Sequence, residues 1–160
     1  MKKLGIFTIV SVFALTLIVM NGCSFSTANM SSLKTSKDKD GKTEASSFTT
    51  GDTLYANAPI ANNSGKVKVK FALIAEDVKG MTKGETLKGS DVTLDVDGDA
   101  TAKYSVPVSA ALLAGTYKLN ADMINDKGEK KDSKSANVTV TQTAPAKTEK
   151  SDDDADDDDK

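Results

Sequence analysis

An all-β fold, a sandwich of about seven short antiparallel strands, is the fold class this sequence predicts, and three observations carry it. Between residues 48 and 140 apolar residues recur at every second position, the period of a strand with one buried face. Clusters of Asn, Asp, Ser and Gly interrupt these runs at short intervals, which is turn chemistry. The one helix-like piece, Val108 to Ala114, is short and ends at Gly115, so it is expected to be a single turn crossing between sheets. Several short alternating runs with such punctuation predict two packed sheets.

The elements follow in order. Leu54, Ala56, Ala58 and Ile60 form the inward row of an early strand. Lys66-Val67-Lys68-Val69-Lys70-Phe71 alternates without a break, placing Val67, Val69, Phe71 and Leu73 inward and three lysines in water. Val92, Leu94 and Val96 form a third row, and Ala102, Tyr104 and Val106 a fourth. Tyr117, Leu119, Ala121 and Met123 come next, then Ala136, Val138 and Val140. Asn62-Asn63-Ser64-Gly65, Lys79-Gly80, Asp97-Gly98 and Asp126-Lys127-Gly128 separate them. Phe71 and Tyr117 are expected near the middle of facing sheets.

Composition narrows the chemistry. All 21 basic residues are Lys; the chain has no His, no Arg, no Trp and one Cys. Nucleophile pairs that need His are excluded, as are zinc sites of imidazole and thiolate and the guanidinium fork that reads phosphate or guanine. Seven of the 23 acidic residues lie between 152 and 159, which leaves 16 acids against 20 lysines before residue 151. So mild a basic balance gives no case for nucleic acid as a partner. No cofactor motif occurs, and no cofactor is expected.

Residues 1–22 read as a secretory signal: basic Met1-Lys2-Lys3, the apolar run Leu4 to Met20, then Asn21 and Gly22 before the only cysteine, Cys23. Met20-Asn21-Gly22-Cys23 resembles the lipobox of bacterial lipoproteins. The resemblance implies cleavage between Gly22 and Cys23 and acylation of Cys23 by palmitate-type chains. An uncleaved anchor and plain export compete with this reading, but an unpaired cysteine in an exported protein calls for an explanation, and acylation supplies it. Two or three acyl chains hold a protein stably at a bilayer. The implied location is the cell envelope, at the outer membrane or on the outer face of the cytoplasmic membrane according to cell type. The implied partner is the membrane itself, with a protein partner in the envelope beside it.

Residues 23–47 are rich in Ser, Thr, Lys and Asp and are expected to be a flexible tether about 25–30 Å in reach. Residues 141–160 are expected to be disordered, because their run of Asp repels itself. A sharper reading makes that tail a low-affinity sink for divalent cations or a handle for a basic partner. Domain limits are therefore 1–22, 23–47, 48–140 and 141–160.

Leu113-Ala114-Gly115-Thr116-Tyr117-Lys118-Leu119 resembles the start of the penultimate strand in immunoglobulin-like and fibronectin-III-like domains of bacterial surface proteins, where a Gly precedes an inward Tyr. Phe48-Thr49-Thr50-Gly51-Asp52-Thr53-Leu54-Tyr55 resembles the opening strand of small immunoglobulin-like domains on bacterial lipoproteins. The Cys pair and core Trp of antibody domains are absent.

Two groups outside the core invite chemistry. Asp95, Asp97 and Asp99 put three carboxylates within five residues, a candidate weak Ca²⁺ site. Asp97-Gly98 between alternating runs is also a hairpin signal, and the hairpin is the preferred reading. Ser133-Lys134-Ser135 lacks a Ser-x-x-Lys helix, and its lysine faces water rather than a buried site that would lower its pKa, so no catalytic residue and no enzymatic activity are expected. Function is expected to be non-catalytic: binding or presentation, with a structural or accessory role as the alternative. Five Phe and three Tyr in the whole chain disfavour a glycan-binding face, which needs exposed rings.

Overall fold

The computed structural model describes residues 27–143, which form nine strands. They are β1 (Asn29–Met30), β2 (Lys34–Ser36), β3 (Ser47–Thr49), β4 (Thr53–Ala61), β5 (Lys66–Val78), β6 (Val92–Asp97), β7 (Ala100–Pro107), β8 (Gly115–Asn125) and β9 (Lys130–Thr141). One sheet has β4 at its centre, flanked by β7 along one edge and by β1 and β2 in succession along the other. The second runs β3-β9-β8-β5-β6, with only the β3–β9 pair parallel. This is an all-β sandwich.

The period-2 rows meet between the sheets. Leu54, Ala56, Ala58 and Ile60 from β4 face Val67, Val69, Phe71 and Leu73 from β5 and Tyr117, Leu119, Ala121 and Met123 from β8, all buried. Phe71 stacks on Tyr104 of the opposite sheet, ring centroids 5.1 Å apart and 17° from parallel, and Tyr104 Oη donates to the Ser90 carbonyl at 2.7 Å. Phe71 and Tyr117 sit on paired strands of one sheet, not on facing sheets: Phe71 is opposite Ala121 and Tyr117 opposite Ala75.

Tyr117 also fixes a corner. Its hydroxyl donates to the Leu113 carbonyl at 2.9 Å, near the start of the next-to-last strand, as the tyrosine corner of immunoglobulin-like sandwiches does. Val108 to Ala114 is a turn between the sheets, with the Leu112 N–H donating to the Ser109 carbonyl at 3.0 Å.

Four further expectations are corrected. The stretch 27–47 is not a tether: Ala28, Met30, Thr35 and Ser36 are buried, and β1 and β2 pair with β4. What holds this polar segment is backbone pairing, the Thr35 hydroxyl donating to the Ala45 carbonyl at 2.6 Å, and the Met30 N–H donating to the Asp132 carboxylate across the sandwich at 2.8 Å. Phe48 to Tyr55 is not one strand, because the chain changes sheets between β3 and β4. Asp97-Gly98 is not a hairpin either. β6 and β7 belong to different sheets, and buried Asn63 ties the crossing, donating through Nδ2 to the Gly98 carbonyl at 2.8 Å while its N–H donates to Asp99 Oδ1 at 2.8 Å. Finally, Val92 is 37% exposed; in that row Val96 alone is fully buried, because β6 is an edge strand.

Surface ion pairs give this fold a modest acid dependence. At the sheet change Asp52 accepts from Lys37 Nζ at 2.8 Å and from the Thr49 N–H at 2.8 Å, which lowers its carboxyl from 3.8 to about 2. Glu76 is lowered by Lys118 and Lys83, and Asp95 by Lys68. These folded pKa values lie below the unfolded ones, so their contribution is complete above about pH 5 and disappears as pH falls through the folded values. At the alkaline end burial raises Tyr104 and Tyr117, and stability is lost as pH climbs above about 10. The chain has no His, the side chain that ordinarily titrates between about pH 5 and 8. Thermal melts are therefore expected to be flat across neutral pH and to fall most steeply between about pH 4 and 2; a slope between about pH 6 and 8 would contradict this.

Candidate functional site

Gly22, Cys23 and the Asp run 152–159 lie outside the described residues. The three carboxylates on and beyond β6 do not converge. Asp95 pairs with Lys68 on β5 at 2.6 Å, Asp97 stands opposite Lys66 in the ladder, and Asp99 is engaged by the Asn63 N–H. Alternation along β6 and the turn into β7 send them to different neighbours. Among the described residues no group of three or more acidic or cysteine side chains gathers to hold a metal ion, so the Ca²⁺ expectation loses its geometric basis. On β9 the Ser133 hydroxyl donates to Asp122 at 2.6 Å and Lys134 Nζ lies 3.3 Å from Asp132; both are committed to carboxylates.

The residues that do gather lie on the outer face of the smaller sheet. Inward burial of Leu54, Ala56 and Ala58 turns Tyr55 and Asn57 outward. Tyr55 stands between Ser36 of β2 and Ser105 of β7, and Asn57 stands opposite Lys103. Two serines are too small to cover a phenol ring. The other four described aromatic side chains, Phe48, Phe71, Tyr104 and Tyr117, are buried, so Tyr55 is the one described ring with an accessible surface.

A loop from the segment expected to be a tether forms the wall of this cleft. Asp38 Oδ1 accepts from the Asp40 and Lys42 N–H groups at 3.1 Å each, and Oδ2 from the Thr43 N–H at 3.2 Å; these bonds, led by Lys42 and Thr43, lower its carboxyl pKa. Ser36 and Glu44 close the loop base in an antiparallel bridge. Gly41 passes so near Asn57 that a Cβ there would overlap Nδ2. The result is a cleft of about 340 Å³ lined by Lys39, Asp40, Tyr55, Asn57, Lys103 and Ser105, together with Tyr104, whose ring is buried. Lys39 and Lys103 form no ion pair with a described carboxylate. The period-2 pattern already turned Tyr55 outward; the wall above it had no sequence signal, because Lys37 to Lys42 carries no apolar residue.

A second cleft, about 320 Å³, opens beside an edge of β7 that pairs with no other described strand, and is lined by Leu87, Val92, Val106, Pro107, Ala111 and Leu112 among others. Lys88, Ser90, Ser105 and Ser109 share its lining with these apolar side chains.

No protein-family model matches the sequence, and no curated protein matches it. Among solved structures, the C-terminal domain of wzt is similar at 12% identity and a TM-score of 0.47, over 73% of this chain and 75% of that one. A Niemann-Pick type C2 protein from Japanese carpenter ant is similar at 19% identity and a TM-score of 0.43, over 71% and 92%. A chain of the CaDoc0917–CaCohA2 complex is similar at 16% identity and a TM-score of 0.35, over 59% and 94%. With every TM-score below 0.5, these likenesses carry no argument about what this chain binds.

Proposed function

We propose that this chain is a lipoprotein of the bacterial cell envelope, held to a membrane through acylated Cys23, whose β-sandwich acts as a non-catalytic binding module. The observation that carries the reading is the lone Cys23 after Gly22 at the end of the Leu4–Met20 run. A rigid sandwich supports it: strands hold outward side chains such as Tyr55 and Asn57 at fixed spacing, which suits binding more than chemistry that needs convergent groups. A structural or accessory role in an envelope assembly is favoured by a different feature, the β7 edge unpaired among the described strands, beside exposed Val92, since such an edge is a template for another strand.

The anchor is tested by exchange of its sulfur. Cys23→Ser is expected to abolish acyl labelling and to move the protein into the aqueous layer of a detergent phase split. Retention of the variant in the detergent layer as an uncut precursor would show a transmembrane anchor instead.

A further inference from the structure

The Tyr55 cleft has a composition that selects one kind of ligand. No Val, Leu, Ile or Met side chain lines it, so an acyl chain or an apolar peptide anchor finds no aliphatic partner there. It combines one open aromatic face, a primary amide two residues along the same strand face, a hydroxyl, a carboxylate and two ammonium groups. Tyr55 and Asn57 lie roughly 6–7 Å apart along β4, two strand residues. The scarcity of aromatic residues disfavours an extended glycan-binding face, but one open ring suits the C–H face of a single sugar, and Asn57 and Asp40 can donate to and accept from its hydroxyls. Lys39 and Lys103 exceed the single carboxylate of Asp40 in charge, which asks for an anionic substituent. Asp38 and Gly41 fix the wall before any ligand arrives, which reduces the ordering cost of binding.

We infer that the Tyr55 cleft binds an acidic saccharide, a sugar ring bearing a carboxylate or phosphate, with the ring on Tyr55 and the anion between Lys39 and Lys103. The cleft stands at the low end of the ~300–1,000 Å³ range of small-ligand sites, so it holds one ring and its substituent. The inference rests on the binding-module reading and deepens it. A nucleic acid strand, which also combines a stackable ring with anions, is the competing ligand; the near balance of lysines and acids along the body and the single open ring speak against it.

The test titrates the full acylated chain in detergent micelles and follows amide resonances. The probes are a hyaluronan tetrasaccharide for the carboxylate, mannose 6-phosphate for the phosphate, cellotetraose as the neutral control and an oligothymidylate for nucleic acid. At least one acidic sugar is expected to give saturable shifts at the Asn57 side-chain amide and at Lys103 and Ser105, with cellotetraose weaker by about tenfold or more, the scale of one lost charged contact. Tyr55→Ala and Lys103→Ala are each expected to weaken binding about tenfold, while Lys88→Ala, outside the cleft, leaves it unchanged. Lys103 is exposed, so its variant reports on binding even if Tyr55→Ala perturbs the fold. No saturable shift with either acidic sugar, an equal response to cellotetraose, binding of the oligothymidylate alone, or unchanged affinity in Lys103→Ala would each overturn the inference. Shifts that map only to the Val92 cleft would overturn it too, while leaving the binding-module reading intact, and the Cys23 phase split reads the anchor independently of either.

Discussion

Phe71→Ala is expected to unfold much of the population at growth temperature. The ring is fully buried on β5 and stacks on Tyr104 of the facing sheet, so its removal leaves a void that neither sheet can close without moving the other. Phe-to-Ala changes in cores typically cost about 3–5 kcal/mol, against about 5–15 kcal/mol for a whole native domain. Lys68 and Lys70 flank the inward positions and point to water; their alanine variants are expected to cost under about 0.5 kcal/mol, including the exposed Lys68–Asp95 pair. Denaturant midpoints of the three variants decide the matter, and a loss from either lysine change as large as that from Phe71 would refute the strand's orientation.

Gly115→Ala is expected to rank beside it. Gly115 opens β8 at φ +149°, and a Cβ there would lie 2.8 Å from Val78 Cα while overlapping the Asp77 carbonyl oxygen. Both neighbours are backbone of the paired strand β5, so they cannot swing aside as a side chain can. Backbone strain of about 1–3 kcal/mol adds to overpacking of about 1–3 kcal/mol, and the displaced strand start pulls the Tyr117 hydroxyl from the Leu113 carbonyl. Gly51→Ala separates the two effects: Gly51 has φ +99° but nothing within 4 Å of its missing Cβ. The Gly115 variant is expected to lose clearly more stability than the Gly51 variant. Equal midpoints would mean that strain alone, without the clash, governs the site.

The long strands were legible because each alternates. Where a row is buried on one face and wet on the other, as in Lys66 to Leu73, period 2 determines both secondary structure and orientation. Sheet membership was not legible. A turn such as Asp97-Gly98 serves a hairpin and a crossing between sheets equally well, and what settles it here is Asn63, 35 residues away in sequence, bonding to Gly98. The same ambiguity put Phe71 and Tyr117 on opposite sheets when they lie on neighbouring strands. β1 and β2 escaped because Lys34-Thr35-Ser36-Lys37 has no apolar alternation; backbone pairing to β4 and short hydroxyl bonds order it instead. The loop over Tyr55 belongs to that same segment, so the cleft went unseen although the ring's outward direction was implied by its inward neighbours.

The claim that this sandwich works from a membrane rests on Cys23, and the intact mass of the protein isolated from its native membrane tests it most directly. The expected species begins at Cys23 and carries the added mass of a diacylglyceryl group on that residue, with or without a further acyl chain on its amine. A species retaining residues 1–22, or one that begins beyond Cys23 and carries no acyl group, would contradict it.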